Sequence, residues 1–464
     1  MAVILLVRWW TGRVAVRTVH QFRTHINRFK LTSRRYVRES ILADEAIARA
    51  VREHAAAHAL TDAQVWRIVR AYIDEIVPYF NILMYYRVGY TASRVLLNLF
   101  YRVRVERVDA DALRALPRDS IVVYLFNHRS NADYVLAGYA LAGHVTISYA
   151  VGEWARVFPL EHLFKSFGAY FIRRRFREPL YHAVLERYVQ LITRNGVTQG
   201  IFPEGGLSRD GRMRQTKIGL LDYILGVARE KGMAERMHIV PVALNYDRVL
   251  EDRQLLAELA HGGPVRRGAL RSLFGVVRYV LWSAGRMLTR RWKRYGSAAV
   301  TIGAPIPIAD WLTARDDGGR TLLELARDER LPRVQAFADR AMAEVARLIP
   351  VTPVPLVCAA LQTFPAEFVS RDALLDRVDA LRDVLNEVNA RVINAERLED
   401  VLDRGCAMLR LRHAIIESGD GYTVLPQGRE LLSYYANSIE PLLGGFSDEV
   451  RGRDSLPASN LIDG

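Results

Sequence analysis

Between residues 61 and 78, apolar positions recur at helical spacing: Val65, Ile68, Val69, Tyr72, Ile73 and Ile76. Thr61 and Gln64 stand ahead of the run in capping-box spacing and Pro78 closes it, so a helix with one buried face is predicted. Residues 1–110 as a whole read as helical. From 118 to 305 the texture changes. Short β-branched and aromatic runs recur, "SIVVYLF", "VTISYAV", "AYFIRR", "TQGIF", "HIVPVALNY" and "AAVTIG", and helical patterns such as "EPLYHAVLERYVQLITRNG" separate several of them. Such alternation predicts an α/β fold, a mixed sheet flanked by helices. "TARDDGGR" near 313–320 reads as a loop, and from about 321 the chain is helical again. Leu374, Val378, Leu381, Leu385, Val388 and Val392 predict an amphipathic helix over 374–392. "GDGYTV" at 419–424 reads as a hairpin or wing before a helix over "GRELLSYYANSIEPLL", and the chain after Gly445 is loose and polar. The expected organisation is an N-terminal helical region (1–110), an α/β domain (111–320), a C-terminal helical region (321–446) and a flexible tail (447–464).

Composition narrows the partners. Of 464 residues half are hydrophobic and a quarter charged, which excludes a disordered chain. The net charge of +14 favours anionic partners: nucleic acid, anionic lipid or phosphorylated substrates. The two cysteines, Cys358 and Cys406, form no CxxC pair, and no His-rich metal pattern is visible, so small buried thiols in a reducing compartment are expected. The apolar start "MAVILLVRWWTGRVAVRTVH" is interrupted by Arg8 and lacks a preceding basic segment, so no secretory signal is expected. No charge-free run approaches the ~20 residues that span a bilayer. Residues 79–108 and 270–296 instead mix aromatics and aliphatics with arginines, Tyr and Phe in the first and Trp as well in the second. The expectation is that they lie in the membrane interface, apolar face down and arginines among lipid phosphates; the competing reading is a core helix with snorkelling arginines.

The chemistry-bearing residues cluster at strand ends. "VVYLFNHRSNADY" leaves a buried run and delivers His128 and, five positions on, Asp133. A carboxylate folded back onto the imidazole accepts the Nδ1 proton and leaves Nε2 to take one from a hydroxyl; the nucleophile then comes from the substrate. "FGAYFIRRR" ends in Arg173, Arg174 and Arg175. "IFPEGGLSRDGRMRQTK" breaks at Pro203 and offers Glu204, Gly205, Gly206, Ser208, Arg209, Arg212, Arg214 and Lys217. Glycines admit close backbone approach to an anion, and arginines grip phosphate with two-pronged bonds. With "VPVALNYD" these blocks end short strands of one α/β region, which points to a single rim.

In order and spacing, "NHRSNADY", "GAYFIRR", "FPEGGLSRDG" and "VPVALNYD" resemble the four blocks of the glycerolipid acyltransferase superfamily, the first being its HX4D motif. The two glycines after Glu204, followed by Ser208 and Arg209, resemble the glycerol-3-phosphate and dihydroxyacetone-phosphate acyltransferase branch, as does the late "LLSYYANSI". The resemblance implies acyl transfer from acyl-CoA or acyl-carrier protein to the sn-1 hydroxyl of glycerol 3-phosphate. It makes His128 the base and Asp133 its orienting partner, and Arg173 and Arg209, seconded by Arg174 and Lys217, the holders of the acceptor phosphate. Glu204, Gly205, Gly206 and Ser208 would shape the pocket. No metal or redox cofactor is expected. The expected location is the cytoplasmic face of a membrane, peripheral or monotopic. One departure stands out: the branch commonly has an arginine after the two glycines, where this chain has Leu207, so one phosphate-binding guanidinium is either missing or replaced by Arg212 or Arg214. Lysophosphatidate and dihydroxyacetone phosphate are the alternative acceptors. A nucleic-acid-binding protein is the rival reading from another class, but no nucleic-acid motif is present and the basic residues are spread over several elements. An inactive lipid-surface scaffold is disfavoured by the intact His128/Asp133 pair.

Overall fold

A computed structural model describes residues 27–142, 145–152, 155–156, 160–173, 176–261, 294–315, 318–393 and 397–444. The apolar start, nearly all of segment 270–296, and the tail lie outside the described residues.

The N-terminal helices are α1 (Arg34–Leu42), α2 (Glu45–His58) and α3 (Asp62–Ile76). The capping box ahead of α3 forms as predicted, with Thr61 and Gln64 satisfying each other's backbone N–H. Val65, Val69, Ile73 and Ile76 are buried, and Ile68 and Tyr72 pack at the edge of the core. Residues 79–108 do not form one helix. A π-helical turn (Met84–Tyr90) runs into α4 (Thr91–Phe100), and the chain then enters strand β1 (Arg102–Arg107). The helical reading of 1–110 therefore fails at its end. "RVRVER" alternates with period two, half-burying Val103 and Val105, as an edge strand with one covered face does.

All six runs read as strands are strands: β2 (Ile121–Phe126), β3 (Ser148–Gly152), β4 (Tyr170–Ile172), β5 (Gln199–Ile201), β6 (Met237–Tyr246) and β7 (Ser297–Ile302), with a short β8 (Ile306–Pro307). The sheet order is β1-β7-β6-β2-β5-β3-β4, parallel except where β6 meets β7 and β8. A proline in a central strand is normally excluded. Pro241 is tolerated because it faces the gap where β8 hands over to β7, and there its carbonyl accepts from Gly303.

Helices α5 (Asp133–Leu141), α6 (Pro179–Arg194), α7 (Gly219–Leu225) and α8 (Asp252–Ala260) connect the strands, and α9 (Arg327–Arg347) packs on β6 and β2. A helical C-terminal unit follows: α10 (Pro353–Leu361), α11 (Arg371–Glu387), α12 (Leu398–Leu411) and α13 (Arg429–Ala436), with a three-stranded sheet of β9 (Phe368–Ser370), β10 (Ile415–Ser418) and β11 (Gly421–Val424). The predicted hairpin is there as β10–β11. Two boundaries differ from the expected ones. Helix α11 stops at Glu387, ahead of exposed Val388 and of Asn389 in the left-handed region, so Val392 lies beyond it in a bridge to Val351. The helix expected over 428–443 breaks between Ala436 and Glu440. Cys358 and Cys406 are free and buried. No helix among the described residues is long and apolar enough to cross a membrane.

Candidate active site

Strand β2 ends at Phe126, and the next side chain extends its ladder. Asn127 Nδ2 donates to the Leu244 carbonyl (2.9 Å) and its Oδ1 accepts from Leu244 N–H (2.8 Å), locking the exit of β2 onto β6. The chain then turns, and α5 begins at Asp133. Nδ1 of His128 lies 2.9 Å from Asp133 Oδ2, with both side chains fully buried. Because a carboxylate accepts, the hydrogen sits on Nδ1 and the lone pair on Nε2 is the basic atom. The same Oδ2 accepts from the backbone N–H of Arg129 (2.7 Å) and Ser130 (3.0 Å), while Oδ1 accepts from the Tyr246 hydroxyl (2.6 Å). The buried carboxylate thus has four donors.

Glu204 braces the dyad from the β5 side. Its Oε1 accepts from His128 N–H and its Oε2 from Arg214 N–H, each at 2.9 Å. Burial pushes its pKa up to about 7, opposed by these two backbone bonds. The tie is returned by Ser208 N–H, which donates to the His128 carbonyl (3.2 Å). Gly205 sits at φ +65°, and a Cβ there would come within 2.6 Å of the Lys217 side chain. The Phe202 ring flanks the imidazole at 4.4 Å between centroids, and Tyr134 meets it edge-on at 5.5 Å. Glu204, Gly205 and Ser208 are therefore brought to the dyad; Gly206 follows in the same turn.

Several supports were not among the residues singled out in the sequence. Tyr246 comes from the fourth block, 113 residues from Asp133. Glu251 holds the turn after His128 through Ser130 Oγ (2.7 Å) and Asn131 N–H (3.3 Å). Arg129 is buried and donates to the carbonyls of Gly211 and Ser438, the latter at 2.8 Å. Ser438 lies in the break after α13, where Asn437 also donates to the Asp210 carbonyl (2.8 Å) and Glu440 pairs with Arg212 (2.6 Å). Gly211, at φ +87°, has no room for a side chain, since a Cβ would sit 1.8 Å from the Tyr434 carbonyl. The break in the expected helix is thus the point at which the C-terminal unit grips the catalytic loop.

The basic residues divide. Arg173 donates to both oxygens of Glu75 on α3 (2.8 and 2.5 Å) and lies over the Phe176 ring. Arg156 joins the same carboxylate at 2.8 Å. Strand β4 is three strand spacings from β2, about 14 Å, so Arg173 ends on the same edge as His128 but not beside it. Arg174 lies outside the described residues. Arg209 donates to Glu258 on α8 (3.1 Å). Arg214 reaches back to donate to the Leu207 carbonyl (3.4 Å). Lys217 is exposed, lies across the Gly205 turn and makes no ion pair with any described residue.

A sheet flanked by helices, with a buried His/Asp pair in HX4D spacing leaving one strand end and a braced, basic loop leaving the next, defines an acyltransferase-type α/β domain. The family model Acyltransferase matches residues 107–245, and the model Glycerol-3-phosphate acyltransferase C-terminal region matches residues 280–443. Curated relatives include glycerol-3-phosphate acyltransferases from Pseudoalteromonas atlantica (27% identical; 80% of this chain, 45% of the relative), Aeromonas hydrophila (26%; 92% and 53%) and Xylella fastidiosa (26%; 90% and 49%). This chain spans about half the length of the curated relatives it matches. The crystal structure of a 1-acyl-sn-glycerophosphate acyltransferase, PlsC, from Thermotoga maritima aligns at 18% identity with a TM-score of 0.31, over 57% of this chain and 80% of that one, a likeness too distant to support inference. The chain belongs to the glycerolipid acyltransferase superfamily, on its glycerol-3-phosphate acyltransferase branch.

Proposed function

We propose that the chain moves a fatty acyl group from acyl-CoA or acyl-carrier protein to the sn-1 hydroxyl of glycerol 3-phosphate, giving lysophosphatidate. The observation that carries this reading is the His128–Asp133 dyad, held in one tautomer beside a loop whose lysine pairs with no described carboxylate. His128 Nε2 takes the proton of the acceptor hydroxyl as its oxygen attacks the thioester carbonyl. Collapse of the tetrahedral intermediate expels the thiolate, and the imidazolium returns the proton to it. The step consumes no electrons and calls for no redox cofactor. Lys217, on the Gly205 turn, is the first holder of the acceptor phosphate, with Arg214 in place of the arginine that Leu207 displaces and Arg209 when it exchanges Glu258 for the substrate. Lys217→Ala is expected to raise the KM for glycerol 3-phosphate about tenfold or more, the worth of one charge-assisted bond, and to leave that for the acyl donor unchanged. The check is thiol release with one acyl-CoA and one acyl-carrier protein against glycerol 3-phosphate, dihydroxyacetone phosphate and lysophosphatidate. Greatest kcat/KM with lysophosphatidate would move the assignment to the second acylation step. Salt-sensitive RNA or DNA binding without thiol release would favour the nucleic-acid reading.

The same proposal places the protein on a membrane surface, where its product partitions. Arg87, Val88, Arg94, Val95 and Leu96 are exposed on the π-helical turn and α4, with Val95 61% accessible. Apolar residues among arginines suit the headgroup boundary. Val95→Asp with Leu96→Asp is expected to cut co-flotation with anionic liposomes by about tenfold, because two apolar side chains no longer leave water for the acyl boundary. Undiminished flotation would remove this face from the attachment.

A further inference from the structure

His54 and His58 stand one turn apart on α2, and Glu178 immediately precedes α6, which packs against that helix. One ligand atom from each of the three lies within 4.8 Å of the others. Two details mark this as more than a surface pair. His58 Nδ1 is 3.0 Å from the His54 carbonyl oxygen. A carbonyl only accepts, so this nitrogen carries the hydrogen and Nε2 is left as a lone pair. That is the bond by which metal-ligating histidines are commonly oriented. Second, Glu178 Oε1 is buried and accepts no hydrogen bond from a described residue, although His54 Nδ1 lies 3.2 Å away. The imidazoles stack at 4.1 Å between centroids. A buried carboxylate oxygen with no hydrogen bond, 3.2 Å from one imidazole nitrogen and beside a second imidazole, is a place where an ion can supply the missing partner.

We infer that His54, His58 and Glu178 form a binding site for one divalent transition-metal ion of the zinc type. Two imidazole nitrogens and a carboxylate oxygen suit Zn²⁺, Co²⁺ or Ni²⁺, whereas Mg²⁺ and Ca²⁺ take oxygen ligands. Tetrahedral zinc spaces its ligand atoms about 3.4 Å apart, and the His54–Glu178 separation of 3.2 Å already meets this. A small shift of α2 against the segment before α6 closes the remaining gap to exposed His58 with its bond to the His54 carbonyl kept, and the fourth position is left to water. The ion joins α2 to a residue five positions beyond Arg173, which is itself paired with Glu75 on α3. It would therefore be a second staple between the N-terminal helices and the connection from β4 to α6, with no part in the chemistry at His128.

The test uses the detergent-purified full chain, stripped with chelator and dialysed. Zn²⁺ binding is counted by equilibrium dialysis, and melting is followed with and without Zn²⁺ or Mg²⁺, for the parent, His58→Ala and Glu178→Gln. Circular dichroism verifies that both variants fold. The parent is expected to bind one more Zn²⁺ per chain than either variant, with affinity at least about 10–100-fold higher at that site. Its melting temperature is expected to rise with Zn²⁺ and not with Mg²⁺, and bound Co²⁺ should give visible absorption bands that both variants lose. No zinc on the parent, equal stoichiometry and melting shift in His58→Ala, or an equal shift from Mg²⁺ would overturn the site.

Discussion

His128→Ala is expected to lower turnover by about 10²–10⁴-fold, the contribution of a positioned general base. Near-normal folding is expected alongside it. The truncated ring leaves a gap beside Phe202, but Asp133 keeps its donors from Arg129, Ser130 and Tyr246, so no buried charge is stranded. The backbone N–H of residue 128 still donates to Glu204. Thiol release measured with saturating glycerol 3-phosphate, beside a circular dichroism spectrum, separates loss of chemistry from loss of fold. Near-full activity in a folded variant would refute the proposed base.

Asp133→Asn is expected to cost about 10²-fold in kcat, through charge and not through the tautomer. Two backbone N–H groups converge on Oδ2, so an asparagine turns its amide oxygen there and its NH₂ toward the Tyr246 hydroxyl. The His128 Nδ1–H bond survives, and what disappears is the anion that stabilises the imidazolium. The imidazole becomes a weaker base, and the acid limb of the kcat/KM profile moves to lower pH. Tyr246→Phe removes one charge-assisted bond to the carboxylate but leaves the anion and its three other donors in place, so it is expected to cost about tenfold at most, with a smaller displacement of the limb. An Asp133→Asn variant whose acid limb does not move would show that the carboxylate does not tune the histidine.

The strands were legible because buried β-branched runs between turn residues have few other uses. The pairing of His128 with Asp133 was legible because both lie in one turn. What escaped depended on residues far apart. Arg173 read as a phosphate ligand, but its partner Glu75 is 98 residues away on a helix whose polar face looks solvated in the sequence. Arg209 with Glu258 and Arg212 with Glu440 repeat the case. A run of arginines announces an anion without saying whether it is a substrate or a carboxylate of the same chain. β1 was missed for a different reason: Val103 and Val105 follow a genuine helix without a turn signal, and two apolar residues are too few to show a change of period. His54 and His58 have metal-ligand spacing, but Glu178 enters only through the packing of α6 on α2.

The bond from Arg129 to the Ser438 carbonyl spans 309 residues. At translation speeds of about 5–20 residues per second, roughly 15–60 s separate the synthesis of its two ends. Within that interval the sheet can assemble around His128, but the loop at Gly211 lacks the carbonyl, amide and carboxylate that clamp it. The order of synthesis therefore acts as a timer: a nascent chain acquires its clamped catalytic loop only after the segment around Ser438 has been made, and a ribosome stalled ahead of that segment holds an acyltransferase domain without this brace.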